Sequence, residues 1–268
     1  MPFLRFGMRR RWFLLTACVL VLLTSYGRAA SAEADATAAA VLARFVDATG
    51  GAELHRRGSV QRHTGTVELA AMGVRGNITV LVGPPDRLAV SVELPDLDPF
   101  VQGTGGDAAW SIDAYNGPRL LGETQRVLMQ LGLDPEEVAD PAATFKSVKY
   151  IGREKVDVLG REVEADRLRI VTEEGVTVEE WFDVEAGFRV RRAATFETDF
   201  GPQVEETIFD DYRRVGESDL RVPFVTQRTV LGAPVKIVLD RVEVGVDLPA
   251  DAFDPPAAVQ KLLDAEAK

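Results

Sequence analysis

Few residues in this sequence have side chains suited to acid-base, nucleophilic or metal chemistry. The chain contains one cysteine and only two histidines, His55 and His63. A disulfide framework and a zinc site built from Cys and His are therefore excluded. A serine hydrolase needs a base beside its nucleophile, and no G-x-S-x-G motif accompanies these histidines. His63 alternates with Gly65 and Val67 in a strand pattern, which favours a structural histidine.

Adjacent carboxylates are the other group that could carry chemistry. Glycosidases use two such groups, held at a fixed separation across a sugar cleft. Neighbouring residues of a strand point to opposite faces, so adjacent carboxylates do not converge, and we predict that they are solvated at sheet edges or in turns. An envelope hydrolase acting through carboxylates alone would need a convergent pair in a cleft. The doublets are Asp96/Asp98, Glu136/Glu137, Glu173/Glu174, Glu179/Glu180, Glu205/Glu206 and Asp210/Asp211.

Motifs that hold metals, phosphates or dinucleotides are missing. Asp96-Leu97-Asp98 lacks the remaining ligand spacing of a calcium loop. Gly103-Thr104-Gly105-Gly106 leads into a strand pattern and not into a helix, so it does not fit a phosphate-binding loop. We therefore expect no metal, no cofactor and no catalytic residue.

The charge distribution excludes a nucleic-acid partner. The chain has 268 residues, of which 46% are hydrophobic and 27% charged, and its formal net charge is −11. Five of its 31 basic residues and none of its 42 acidic residues lie in the first 32 positions, so the remainder carries −16. Such a body repels phosphate backbones. It also disfavours stable docking on anionic membranes and leaves transient membrane contact as the alternative.

Residues 1–32 have the layout of a secretory signal peptide. Arg5 and Arg9–Arg11 form a basic start, Trp12–Leu23 an apolar run, and Ala30-Ser31-Ala32 a small-residue cleavage site. A membrane anchor is the alternative, but a span needs about 20 residues. We therefore predict export to the periplasm and cleavage after Ala32.

Two segments of residues 1–32 resemble more specialised export signals. Leu15-Thr16-Ala17-Cys18 is similar to a bacterial lipobox, but the apolar run continues beyond Cys18, so a lipid anchor there is not expected. Arg10-Arg11 followed by Trp12 resembles a twin-arginine signal. Ordinary secretion is favoured, and the sequence does not decide between the two routes.

The exported part predicts one helix followed by strands. Residues 35–49 place Val41, Leu42, Phe45 and Val46 on one helical face, and Gly50-Gly51 ends the helix. From about residue 59 apolar residues alternate and turn signals recur, which is typical of an antiparallel meander. We predict a mainly β (α+β) fold with about eleven strands in a single curved sheet, forming an incomplete barrel.

Two strands show departures from simple alternation. Val235, Ile237 and Leu239 have odd numbers, whereas Val242 and Val244 have even ones, so a bulge is predicted near Asp240-Arg241. In the other strand, the apolar positions Phe188, Val190, Ala194 and Phe196 share one parity, and Arg192 is the exception on that face.

A short helical insert interrupts the strands. Leu120–Leu133 is apolar at helical positions, with Gly132 near its end, and Asp134-Pro135 with Glu137 matches a helix start. Asp140-Pro141 repeats part of this signal. We predict an insert of about 20–25 residues, and a further short helix over Val259–Ala267.

The apolar strand positions exceed what so few helices would cover. An incompletely covered concave face forms a cavity for apolar ligands, whereas a fully packed core would need none, and composition alone leaves both open. The predicted lining of cavity and lid consists of Val80, Val82, Leu88, Val90, Val92, Trp110, Leu121, Val127, Leu128, Leu131, Phe182, Val190 and Phe196.

Short segments spread over residues 37–256 resemble the LolA/LolB-like superfamily of periplasmic lipoprotein-sorting proteins. More closely, they are similar to bacterial envelope proteins described as outer membrane lipoprotein-sorting proteins. The segments are Gly50–Leu54 with Thr64–Val67, Gly106-Asp107 with Trp110, Gly117–Leu121, Tyr150–Glu154 with Val156-Asp157, Trp181–Asp183 with Gly187 and Val190–Arg192, Asp211–Arg213 with Val215, Val222–Phe224, and Phe253–Pro255.

The resemblance implies that residues 33–268 form one lipid-binding domain. It implies an incomplete barrel closed by helices, in which the concave face holds acyl chains of a lipid or lipoprotein without catalysis. The insert Leu120–Leu133 would then be the lid, with Trp110 in the pocket wall. LolA-type carriers hold their lid with a buried arginine, and the sequence does not show which residue would take its place.

Two functions follow as hypotheses. The first is a periplasmic carrier or chaperone for a lipid, a lipidated protein or another hydrophobic ligand. The alternative is an envelope sensor or scaffold with a filled core that binds another protein.

Overall fold

The chain forms one long antiparallel sheet with helices on it. A computed structural model describes residues 36–198, 201–230 and 233–266, without the side chains of residues 142, 143, 196–198, 201–203 and 230. The predicted signal peptide and Cys18 lie outside the described residues. Among the residues described, no helix is both long and apolar enough to cross a membrane.

Thirteen strands build the sheet of the described chain, two more than predicted. Their bounds are β1 Gln61–Leu69, β2 Val74–Gly83, β3 Arg87–Glu93, β4 Phe100–Gly105, β5 Ala108–Asp113, β6 Gly117–Leu120, β7 Ser147–Val158, β8 Arg161–Val171, β9 Thr177–Asp183, β10 Arg189–Thr198, β11 Gly201–Arg214, β12 Arg221–Val230 and β13 Ala233–Val244. A 3-10 turn, Ala70–Met72, separates β1 from β2.

The strand order is β6-β5-β4-β3-β2-β1-β13-β12-β11-β10-β9-β8-β7, with every neighbouring pair antiparallel. Two meanders therefore meet where β1 pairs with β13. The edge strands β6 and β7 are consecutive in sequence, so the segment between them must connect the two edges of an open sheet. The predicted incomplete barrel is confirmed in this form.

The helices occupy the predicted places. Helix α1 covers residues 36–48 of the described chain and is followed by Gly50 and Gly51, both with positive φ. The insert contains three short helices, two of which begin at the predicted starts Asp134-Pro135 and Asp140-Pro141, but Leu120 ends a strand instead of beginning the insert. The remaining bounds are α2 Ala52–Arg57, α3 Glu123–Gln130, α4 Pro135–Ala139, α5 Pro141–Thr144 and α6 Ala257–Glu266.

The start of α4 has the predicted chemistry. Asp134 is its N-cap and its carboxylate accepts a hydrogen bond from the backbone N–H of Glu136 at 2.9 Å. Pro135 takes the first helical position, where its missing N–H costs nothing.

The register divides the sheet into two faces, because directly opposed residues project to the same side. His63 lies opposite Val80 and Val242, and Val80 lies opposite Val90. We call this side, which also carries the helices α1 and α3–α5, the inner face. Helix α1 covers its far end, where its apolar residues pack on Leu168 and Phe182. The packed set is Ala38, Val41, Leu42, Phe45, Leu168 and Phe182.

The outer face has apolar cover of its own at both ends of the sheet. Arg161 on β8 bonds Asp210 on β11 at 2.8 Å, so the β7–β8 hairpin folds back over the outer side. Beneath it lies a second core, composed of Val156, Val158, Val163, Ala165, Trp181 and Val190. At the opposite end the chain before α6 covers the outer face. There the ring of Phe253 lies against Gly83 and under the guanidinium of Arg87 at 4.9 Å.

The predicted bulge in β13 is confirmed. Thr64 pairs with Arg241 and Gly65 pairs with Leu239, so Asp240 is the extra residue. The bulge returns the later apolar residues of β13 to the inner face, as their change of parity indicated. A second bulge, at Val190 on β10, was not predicted.

Gly65 is required by the close approach of β13 beside this bulge. A Cβ atom at Gly65 would lie 2.7 Å from the Cα of Leu239 and closer still to the carbonyl oxygen of Val238. Both are backbone atoms of a paired strand and cannot move without breaking the ladder. We expect Gly65→Ala to lower the free energy of unfolding by about 1–3 kcal/mol, measured by urea denaturation.

Gly105→Ala on β4 is the matched control. The nearest atom to its added Cβ would be the Cγ of Arg87, at 3.4 Å, which is ordinary contact. This variant should change the free energy of unfolding by less than about 0.5 kcal/mol. Equal losses in the two variants would contradict a specific requirement for glycine at the bulge.

Candidate ligand-binding site

The predicted positions on β2 and β3 lie together on the inner face. Val82 opposes Leu88, Val80 opposes Val90, and Val92 follows on the same side. Val82 and Val92 are buried, whereas Val80, Leu88 and Val90 are half-buried. The sequence prediction of this surface therefore matches the register, although its role in binding stays a prediction.

This apolar surface is built without a helix. Val67, Ile78 and Val92 form its buried centre. The partly buried residues packed around them come only from strands and a strand-connecting loop, namely Val80, Val90, Leu94, Phe100, Val235 and Ile237. We call these nine residues the apolar surface. Its outer members keep contact with solvent, which is the main departure from a filled core.

The insert covers a different part of the inner face. Leu131, just after α3, is buried against Ile170, Val178 and Ala194 of β8, β9 and β10. Val127 is also buried, and Leu128 is half-buried beside this group. Leu121, which begins the insert, donates its backbone N–H to the carbonyl of Ala109 at 2.8 Å. The predicted lid residues therefore lie on the sheet: Leu131 packs on β8–β10, and α3 also lies beside β3, β4 and β5.

Three other predicted lining residues lie elsewhere. Phe182 is fully buried, with its ring 5.3 Å from that of Phe45, and so belongs to the core under α1. Trp110 pairs with Gly103 on the outer face, where only a glycine leaves room for the indole. Val190 also faces outward, in the core with Trp181, because of the bulge. The side chain of Phe196 lies outside the described residues.

A buried ion cluster lies beside the lid, and the doublet Glu179/Glu180 contributes to it. Glu180 keeps only 5% of its side-chain exposure and accepts hydrogen bonds from Arg189 at 2.9 Å and Arg192 at 2.7 Å. Glu179 points outward to Arg167 and Arg169. The predicted separation of the doublet is confirmed, but its predicted solvation is wrong for Glu180, because the lid covers that side.

Arg192 joins this cluster to the lid. Its Nη1 donates to the carbonyl oxygen of Leu131 at 3.3 Å while its Nε bonds Glu180. The parity pattern treated Arg192 as an exception on an apolar face. The bulge at Val190 explains the pattern, since residues on either side of it do not share a face. Arg192 is therefore a buried arginine that bonds the backbone of the insert.

The charges in the cluster stabilise one another. Burial would raise the pKa of Glu180, but the charges and hydrogen bonds of Arg189 and Arg192 hold it below its usual value. The Tyr212 hydroxyl donates to the carbonyl of Arg189 at 2.8 Å, and burial raises its pKa. These groups are therefore fixed in single protonation states around neutral pH.

Glu137 on α4 lies beside this ion cluster and changes its protonation near neutral pH. Burial raises its pKa to about 7, although its carboxylate accepts a hydrogen bond from the N–H of Gly132 and lies near the charge of Arg192. Glu137 and Glu180 both border a cavity of about 30 Å³, which holds one or two water molecules. This space is too small for a sugar, so the pair does not form a glycosidase cleft.

Another strand doublet, Glu205/Glu206, separates in the same way. Glu205 bonds Arg228, whereas Glu206 bonds Arg191 on the opposite face. Within the part of the chain that is described, no three His, Cys, Asp or Glu side chains are grouped so as to hold a metal ion.

Solved structures of other proteins share this chain path. A crystal structure of a LolA superfamily protein from Nitrosomonas europaea matches with a TM-score of 0.51 and 14% identity, over 81% of this chain and 97% of that one. A DUF1329 family protein from Desulfovibrio piger matches with a TM-score of 0.51 and 12% identity, over 83% and 99%. The chain has a LolA-like fold. No protein-family model and no curated protein matches it by sequence.

The buried ion cluster of Glu180, Arg189 and Arg192 was not predicted from the sequence. The sequence does contain an indication of the cluster: Glu180 lies 9 and 12 residues before Arg189 and Arg192, a separation that suits opposed positions on two consecutive strands. The sequence predicts a solvated Glu180 because the contact of the insert with the sheet is a long-range property of the fold, which local patterns do not show.

The buried pairing of Glu180 can be tested against its own neighbour. Glu180→Gln would leave two arginines beneath the lid without their shared carboxylate, so we expect a loss of about 3–5 kcal/mol in the free energy of unfolding. Glu179→Gln removes an outward carboxylate of the same doublet and should cost about 1 kcal/mol or less. Urea denaturation of both variants measures this. Similar costs would contradict a buried role for Glu180.

Glu137 should make stability depend on pH in a defined direction. Its folded pKa of about 7 lies above its usual 4.5, so the folded state resists its ionisation. Stability should fall as pH rises from about 4.5 to 7, by up to roughly 3 kcal/mol, and level off above that. In Glu137→Gln this contribution disappears, so the variant should gain stability relative to the wild type at pH 8 compared with pH 5. Parallel pH profiles in urea denaturation would contradict the assignment.

Proposed function

We propose that the exported chain is a carrier or chaperone that binds a lipid, or the acyl chains of a lipidated protein, on the inner face without catalysis. The observation that supports this most directly is the apolar surface around Val80 and Val90. Its outer residues are only half-buried, and the described apolar residues that pack with them come from strands and one loop.

The free energy available at this surface is substantial. Fully burying a Val or Leu side chain contributes about 1.5–3 kcal/mol relative to exposure. Several half-exposed side chains on neighbouring strands would together supply several kcal/mol to an acyl chain lying across them. An apolar groove with few polar groups suits a ligand of that kind.

The lid extends this surface in the proposed mechanism. Leu131 now covers Ile170, Val178 and Ala194. Movement of the insert would expose these residues beside the apolar surface and lengthen the site. After release of the ligand, the hydrogen bond from the Arg192 side chain to the carbonyl of Leu131 would form again and restore the closed position, together with the surrounding ion cluster.

The periplasm is the proposed location. The predicted signal peptide and the LolA-like fold both support it. An envelope protein is a further proposed partner, because exposed apolar side chains mark one end of the barrel. Met72 in the β1–β2 turn is 56% exposed and Leu97 in the β3–β4 loop is 36% exposed. This end favours the scaffold function as the second candidate.

Ligand retention by Val90→Asp tests the carrier function. A carboxylate at position 90 of the apolar surface would be desolvated by any acyl chain above it, so we expect loss of binding by at least tenfold. Protein purified gently from its own envelope would be examined by native mass spectrometry and by displacement of a fluorescent fatty acid. Ser91→Asp is the control, since Ser91 opposes Thr79 on the other face.

Undiminished retention by a folded Val90→Asp variant would contradict the proposed site. A wild-type protein that carries no lipid and ignores the fluorescent probe would contradict the carrier function. Its co-purification with one protein partner at the Met72 end would instead support the scaffold function.

A further inference from the structure

A second, more polar cavity lies between the lid and the sheet. Its volume is about 230 Å³, which corresponds to roughly seven or eight water molecules at about 30 Å³ each. Both histidines of the chain border it. Its apolar side consists of Phe45, Val82, Leu133, Pro135, Val138, Val222 and Pro223, and its polar side of Thr49, His55, Ser59, Gln61, His63, Arg189, Tyr212 and Arg221.

Arg189 supplies positive charge to this cavity. Its Nη1 donates to Glu180, and its guanidinium lies over the rings of Phe45 at 5.6 Å and Phe209 at 4.6 Å. Its Nε is buried without a hydrogen-bond partner among the described residues. A buried N–H of a charged group that lacks an acceptor is costly. Arg189 borders the cavity, where its charge would attract an anion.

The two histidines are neutral, and their hydrogen bonds show which nitrogen carries the proton. The Thr49 hydroxyl donates to the carbonyl of Phe45 at 2.8 Å, so it accepts from Nε2 of His55 at 2.8 Å. The side-chain oxygen of Gln61 accepts from Nε2 of His63 at 2.6 Å, while its amide donates to Gly58. In both rings Nδ1 is therefore unprotonated and can accept a hydrogen bond.

Arg189 and Arg221 bring positive charge to the cavity. Burial lowers the pKa of both histidines to about 4, and for His55 the charge of Arg189 lowers it further. Beneath the lid, Arg189 and Arg192 face one fully ionised carboxylate, that of Glu180. Glu137 adds only part of a negative charge near pH 7, because burial raises its pKa to about 7.

The polar cavity adjoins the apolar surface. Val82 borders the cavity. It pairs with Leu88, and this pair lies next to the Val80–Val90 pair on the same face. His63 opposes Val80 directly. A molecule with a polar end in the cavity would therefore extend its apolar part along the inner face.

We propose that this cavity binds the anionic head group, a carboxylate or a phosphate, of an amphiphile whose chain lies on the apolar surface, with Arg189 as counter-ion. This proposal rests on the carrier function and specifies its ligand class. The cavity has room for a head group and not for a long chain. Hydroxyl groups next to the anion would donate to Nδ1 of His55 and His63.

The histidines make the site observable, because the chain has no others. Dodecanoate and its neutral analogue dodecanol would be titrated into the exported chain at pH 6.5, where Glu137 is mainly protonated, below their aggregation limits. Binding would be followed by probe displacement and by the two histidine ring signals in NMR spectra. We expect at least tenfold tighter binding of dodecanoate, a shift of both ring signals, and a rise in the pKa of His55 on binding.

Arg189→Gln should reduce the affinity for dodecanoate at least tenfold and leave that for dodecanol unchanged. Glu180 keeps Arg192 as its partner in this variant. Arg191→Gln is the matched control, because Arg191 bonds Glu206 on the outer face, and it should bind both compounds as the wild type does. If Arg189→Gln does not fold, the comparison of dodecanoate with dodecanol in the wild type still decides.

Equal affinities for dodecanoate and dodecanol, or dodecanoate binding without a histidine shift, would overturn the head-group site and leave the carrier function standing. Failure of both compounds to bind would overturn both proposals. Inorganic phosphate and acetate form a separate arm. If either shifts the histidine signals at the concentration at which dodecanoate does, the site binds free anions and the amphiphile assignment is wrong.

Discussion

The order of the strands is the constraint on which the rest of this structure depends. Two meanders meet at β1 and β13, so both edges of the sheet, β6 and β7, are neighbours along the chain. The connection between them has to cross the inner face. It forms three short helices, and Leu131 at the end of α3 packs on Ile170. Val90 on the other half of the sheet stays half-buried.

The charged side chains beneath the lid pair with one another in one cluster. Glu180 neutralises part of the charge of two arginines, and Glu137 supplies the remainder according to its protonation. A dry apolar contact between lid and sheet would be simpler to build. The cluster instead gives the closed position a defined geometry, since the bond donated by Nη1 of Arg192 forms only when the carbonyl of Leu131 lies beside it.

Local patterns in the sequence predicted the local features of the fold. The glycines after α1, the cap at Asp134 and the extra residue at Asp240 each produce a signal within a few positions. The pairing of Val80 with Val90 also follows from alternation on adjacent strands. Trp110 and Val190 were misplaced because a strand with apolar residues on both sides does not show which side faces the helices. That depends on the folded-back β7–β8 hairpin and on the chain around Phe253, which cover the outer face from far away in sequence. Glu180 was assigned to solvent for the same reason.

The attachment of the lid at both ends has a kinetic and thermodynamic consequence. A segment tethered to β6 and β7 cannot diffuse away, so its return to the sheet is a first-order event independent of protein concentration. Any molecule that enters beneath it competes with a covalently linked occupant, and its apparent affinity is reduced by the fraction of time the segment is closed. Under the proposed carrier function, the tether would act as a size filter: ligands that fit beside the insert would escape this competition, and bulky ones would not.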